Sequence, residues 1–230
     1  MGSVHDKHRE RVRKEFLARG FNENTPEHKV LEMLLFYSIP RVDTNELAHI
    51  LIKRFGSFSA LLEAKPEEIM KVKGVGENTT ALIKLMLPII ALYQNQKLKP
   101  VDRYDDMNEI SNYLMKKYIG FTKEIFSVMS FDSSGRLCGF DYLSSGDVAS
   151  VGISSRMVAE TVIKNNATSI IIAHNHPGGN ALPSADDIHV TEKIANALKH
   201  INVNLIDHII LCDDDYVSLE QSVQYKYLFE

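Results

Sequence analysis

Cysteine is scarce: the 230 residues contain two, Cys138 and Cys212. So low a count suits a reducing compartment, and nothing in the spacing of the pair suggests a metal knuckle. Long apolar runs are missing as well. No segment approaches the ~20 consecutive apolar residues that cross a bilayer, and the charged N-terminus does not read as a secretory leader. Internal repeats and low-complexity tracts are also absent. These absences set the expectation of a cytoplasmic protein with no membrane partner. What is present, 44% hydrophobic and 24% charged residues, is the balance of an ordinary globular chain, long enough for two small domains.

The net charge of −4 is unevenly spread. Residues 1–100 carry 16 lysines and arginines against 12 acidic residues, and residues 101–230 carry the remaining 10 against 18. A mildly basic N-terminal part would favour nucleic acid, though far less than a dedicated DNA binder does. The segment from His5 to Arg19 reads as a helix bearing Lys7, Arg9, Arg11, Arg13 and Lys14. These residues are either phosphate contacts or a solvated helix face, and the second is the commoner case.

Helical periodicity continues through the first third. Pro26 and Glu27 open a helix with Val30, Leu31, Leu34 and Leu35 on one side. Asp43 or Thr44 caps another, which stops at Gly56. Shorter helices begin at Ser57 and at Lys65-Pro66. The division expected is a helical domain over 1–96, a polar linker over 97–106 containing Pro100, and a second domain over 107–230. Within the first, Val72-Lys73-Gly74-Val75-Gly76-Glu77 reads as a tight hairpin before a helix. Its glycines would expose backbone N–H groups to a phosphate oxygen. Gly74 and Gly76 are the candidate DNA contacts, although Glu77 would repel phosphate and Lys84 comes two turns later. A hairpin kept for helix packing is the alternative.

From Glu124 the pattern turns to strands. Glu124–Phe131 and Arg136–Leu143 read as a hairpin around Asp132-Ser133-Ser134-Gly135, followed by a helix over 154–165. A strand over 169–173, a helix over 186–200 and strands at 203–211 and 216–219 complete a mixed sheet flanked by helices. The whole chain is therefore α+β. The chemistry gathers after Ser169-Ile170-Ile171-Ile172-Ala173. Residues i and i+2 of a strand point the same way, so His174 and His176 present two imidazoles at its end. Beyond Pro177-Gly178-Gly179, Ser184 is placed as a helix N-cap and Asp187 falls in the first helical turn. Ser184 and Asp187 alone would be an ordinary capping pair. With two histidines in register they complete the three-ligand set of a catalytic zinc site, leaving a fourth position for water. Asp186 competes with Asp187, but helical phase favours Asp187.

His-x-His-Pro followed by Ser-x-x-Asp resembles the JAMM motif of the JAB/MPN metalloprotease superfamily. The form His174-Asn175-His176-Pro177-x-Gly179, with Asp207-His208-Ile209-Ile210 downstream, is similar to the bacterial RadC family. The resemblance spans nearly the whole chain, because the N-terminal third looks like the helical part of RadC proteins and Val72–Ala81 resembles the hairpin of a helix-hairpin-helix motif. It implies a cytidine-deaminase-like α/β/α domain and one zinc ion per chain held by His174, His176 and Asp187. It also implies a glutamate base on an early strand, a position matched by Glu124. Glu160, on the 154–165 helix, is the rival base. Ser184 would donate a hydrogen bond to the oxyanion if its hydroxyl is free of capping. His208 is either a support for a ligand imidazole or a satisfied core histidine. Where the family commonly shows Pro-Arg-Glu and Ser-Gly-Thr, this chain has Ser155-Arg156-Met157 and Ser145-Gly146-Asp147, both near the expected substrate groove.

Three functions follow as expectations. The first is a zinc peptidase or isopeptidase acting on a peptide or protein. The second, from the traditional link of RadC to DNA repair, is a DNA-associated accessory protein with a structural metal. The third, a nuclease using the same zinc, is disfavoured by the few cationic residues around the loop.

Overall fold

The structure, a computed structural model, describes residues 4–143, 153–212 and 215–229. The Ser145-Gly146-Asp147 segment lies outside them. The chain divides into two compact units, Met1–Ile90 and Ala91–Glu230. Among the described residues no helix is long and apolar enough to cross a membrane.

The first unit is helical: α1 (Val4–Arg19), α2 (Glu27–Leu35), α3 (Asn45–Phe55), α4 (Phe58–Glu63), α5 (Pro66–Met70) and the start of α6 (Glu77–Lys97). Leucines at helical spacing fill its core, with Leu31, Leu35, Leu51, Leu61, Ile69 and Ile83 fully buried. Arg9, one of the phosphate candidates, and Lys84 serve this core instead. Arg9 is only 8% exposed, and its guanidinium donates to the carbonyls of Phe36, Ile39 and Val42 while lying 4.8 Å over the Phe36 ring. It satisfies the carbonyl of Phe36, the C-cap of α2, and two carbonyls of the loop that follows. Lys84 donates to Leu62 O at 2.6 Å and Ala64 O at 2.9 Å, doing the same for α4, and its burial pushes the ammonium pKa down. Gly74 turns the hairpin at φ 93°, a conformation that costs glycine nothing.

The second unit holds α7 (Met107–Tyr118), β1 (Phe126–Phe131), β2 (Leu137–Tyr142), α8 (Ser155–Lys164), β3 (Ser169–Asn175), α9 (Ala185–Lys199), β4 (Asn204–Cys212), β5 (Asp215–Ser218) and a final 3-10 turn (Lys226–Phe229). The strands form one sheet in the order β2-β1-β3-β4-β5. Only β3 and β4 run parallel, joined by the α9 crossover. Residues 97–106, expected as a linker, lie partly on this sheet: Val101 is buried and Arg103 bridges to Arg136.

Alternation along β3 assigns its two faces. Ile170 and Ile172 pack with Val158 and Val162 of α8 and Ile194 and Leu198 of α9. Ile171 and Ala173 pack with Ile110, Leu114 and Tyr118 of α7. The result is three layers, helix-sheet-helix, with β3 buried along its whole length. Continuing the alternation puts His174 on the α9 face. A parallel β3–α9–β4 unit thus carries its chemistry at the carboxyl end of β3, beside the first turn of the crossover helix.

Candidate metal centre

His174 is the penultimate residue of β3, and His176 follows the strand's end. The loop then turns back through Gly178, at φ 65°, and delivers Ser184 as N-cap of α9. Ser184 and Asp187 form a reciprocal capping box. Asp187 N–H donates to Ser184 Oγ at 3.1 Å, while Ser184 N–H and Oγ–H donate to Asp187 Oδ2 at 2.7 and 2.6 Å. The cap holds the carboxylate still and aims it at the histidines. His174 Nε2 lies 3.0 Å from Asp187 Oδ1, His176 Nε2 lies 3.5 Å from Oδ2, and the two Nε2 atoms are 2.9 Å apart. One ligand atom from each residue falls within 4.8 Å of the others.

Proton counting shows what this triangle lacks. His176 Nδ1 is 2.9 Å from the Asn180 carbonyl, which can only accept, so that nitrogen carries the hydrogen. Thr191, one turn after Asp187 on α9, donates its single hydroxyl proton to Asp187 O at 2.6 Å. At 2.6 Å from His208 Nδ1 it can then only accept, so His208 is protonated there. His208 is 1% exposed, and burial pushes its pKa well down and keeps it neutral. Its Nε2 therefore accepts from His174 Nδ1–H at 2.8 Å. Both histidines keep a hydrogen on Nδ1. In the neutral form of the two rings, two Nε2 lone pairs and a carboxylate converge with no proton between them.

Burial alone would raise the Asp187 pKa; in the ion-free site, where a protonated His174 would donate to it, that hydrogen bond and charge together with the Ser184 bonds outweigh burial and hold the carboxyl well below its usual range. Three acceptors facing one another call for a cation. The donor set fits zinc: bonds of ~2.0–2.1 Å give a tetrahedron with edges of roughly 3.3 Å, against 2.9 Å between the two nitrogens and 3.0 Å from His174 Nε2 to Asp187 Oδ1.

The other sequence candidates divide. Asp186 is exposed and outside the group. Ser184 stands beside it, but its one proton goes to Asp187, so an oxyanion contact would need that bond to open. Glu124 is exposed and lies two residues before the start of β1, which begins at Phe126 rather than at Glu124 itself. Phe126 pairs with His174, so the antiparallel register brings Glu124 level with His176. Glu160 is turned to solvent on α8 and bonded to Arg156 at 2.8 Å. Gly74 and Gly76 belong to the first unit. His189 on α9 and His200 at its C-cap are both exposed. Asp207 is fully buried, where burial raises its pKa; it accepts from Ser218 Oγ and from the His208 and Glu220 amides.

Thr191 escaped the sequence reading, although its i+4 spacing from Asp187 places both on one helix face.

Against known proteins, residues 104–225 match the model of the RadC-like JAB domain. A UPF0758 protein of Fusobacterium nucleatum subsp. nucleatum is 35% identical over 219 residues, covering 92% of this chain and 94% of its own. UPF0758 proteins of Tolumonas auensis and Shewanella pealeana are 30% and 29% identical, each over 212 residues with the same coverage.

Proposed function

The chain belongs to the RadC-like JAB domain family, and from that premise we propose that it is a zinc-dependent hydrolase of the JAMM type, cutting a peptide or isopeptide bond. One observation carries the reading: an Nε2 from each of His174 and His176 and a carboxylate oxygen of Asp187 converge, while each imidazole directs its Nδ1 hydrogen away from that point. Zinc bound there supplies Lewis acidity and lowers the pKa of a water toward ~7. His174 and His176 offer neutral Nε2 atoms, each fixed by a hydrogen bond on the far side of its ring. Asp187 adds the negative charge, held in orientation by Ser184. Glu124 is the general base that accepts the proton and returns it to the leaving amine.

Metal analysis of protein purified without chelator tests the centre, and Glu124→Gln assayed on peptide and isopeptide substrates tests the base. Folded protein that takes up no zinc removes the first assignment. Hydrolysis unaffected by the substitution removes the second.

A second reading, DNA contact through the hairpin, rests on Gly74 and Gly76, where a side chain at Gly76 would meet open space. Lys84, the nearest cation on the following helix, is engaged with backbone carbonyls, so such binding would depend on main-chain N–H groups. Salt-sensitive binding of duplex or branched DNA that is lost in Gly76→Asp would support it.

A further inference from the structure

Asn175 stands between the two histidines and reads as a spacer, yet asparagine is a poor strand former and this one closes β3 at 6% exposure. Its carboxamide accepts from Ile125 N–H at 2.7 Å and donates to Lys123 O at 3.1 Å. Those two backbone groups flank Glu124. The paired register of β1 and β3 runs from Phe131 opposite Ser169 to Phe126 opposite His174. Past that point a side chain takes over the pairing, and it supplies one acceptor and one donor as a strand's own peptide would.

Alternation tells which way the clamped residue faces. Phe126 projects to the α9 side, its ring 6.3 Å from that of His174 and 5.9 Å from that of His208. Ile125 packs with the cluster on the α7 side. Glu124 then falls on the same side as the imidazoles.

We propose that Asn175 is the positioning residue for Glu124, fixing the peptide on either side of it so that its carboxylate meets the metal group at the level of His176. The inference rests on the reading of Glu124 as the base. It gives the residue between the two ligands a task that neither ligand performs: one strand end presents the metal-binding nitrogens and, through the intervening side chain, holds the base from the neighbouring strand. Leucine, of similar shape, offers neither hydrogen bond. Aspartate would oppose the Lys123 carbonyl.

The test uses the full chain loaded with Co2+, whose visible band can be titrated with pH to report the proton equilibrium beside the ion. Glu124→Gln should shift the midpoint of that titration. Asn175→Leu should shift it in the same direction by at least half as much, with Co2+ affinity unchanged within about 3-fold, and the double variant should move no further than Glu124→Gln alone. Asn175→Ala serves if the leucine variant does not fold. Turnover of a cleavable peptide should fall about 10²-fold in kcat with KM little changed. Wild-type protein that binds no Co2+ would overturn the metal reading itself. A Glu124→Gln shift without an Asn175→Leu shift would overturn the clamp alone. No shift in Glu124→Gln would overturn both the base and its positioning, and additive shifts in the double variant would assign Asn175 a role separate from Glu124.

Discussion

Replacing His208 with leucine removes the acceptor for His174 Nδ1–H without touching a ligand atom. His208 is buried, 2.8 Å from His174 and 2.6 Å from Thr191, so no water-filled space waits to replace it. His174 is itself 7% exposed, and its Nδ1–H is left in an apolar pocket at a cost of about 1–3 kcal/mol. The ring can escape that cost by moving its hydrogen to Nε2, but then the lone pair aimed at the centre is lost. Either course weakens metal binding. Outer partners of ligand histidines are typically worth about 10–100-fold in affinity, roughly 1.4–2.8 kcal/mol, so the two estimates agree. Competition against a chromophoric chelator measures the difference directly. Thr191→Val should show the same effect in weaker form, because His208 then loses the partner that selects its tautomer, whereas His200→Gln, on an exposed position, should show none. A folded His208→Leu protein with wild-type zinc affinity would refute the proton assignment.

Other consequences are open to measurement. Ser184→Ala removes both the cap acceptor for Asp187 N–H and the bond to its carboxylate; denaturation should show about 1 kcal/mol of lost stability and chelator competition a weaker metal site. Arg9→Met leaves three carbonyls without their charged donor and should destabilise the helical unit by roughly 1.5–3 kcal/mol, read as a lower Tm with metal affinity unchanged. Because the folded Asp187 pKa is depressed, its contribution to the metal-free protein is fully present above the ordinary carboxylate pKa of ~3.9 and fades as pH falls toward the lowered value. The stability gap between wild type and Asp187→Asn seen at pH 5 should therefore shrink below pH 4. A gap that persists unchanged at pH 3 would contradict the assignment.

The clustering of His174, His176 and Asp187 was legible because each step was local. Strand alternation aligned His174 with His176, the Pro-Gly-Gly turn fixed the reversal, and cap spacing delivered Asp187. The α+β class followed from the change in periodicity after residue 120. Non-local contacts were a different matter. His208 is 34 residues from His174 in sequence, and only the parallel register, Ile172 opposite His208, brings the two rings together. Asn175 finds its partners 50 and 52 residues upstream. Arg9 looked like its neighbours on a basic helix, and nothing in the spacing of charges distinguishes a solvated guanidinium from one that closes off another helix. Ser184 carried two readings, cap and oxyanion donor, and the direction of one proton separates them.

Whether His174, His176 and Asp187 hold an ion decides the metal assignment. The direct measurement is metal stoichiometry by elemental analysis on protein purified without chelator and then supplied with zinc. One zinc per chain in the wild type and in Glu124→Gln, and none in His176→Ala or Asp187→Asn, is the predicted result. Folded wild-type protein that retains no zinc, or variants that bind it as well as wild type does, would contradict it.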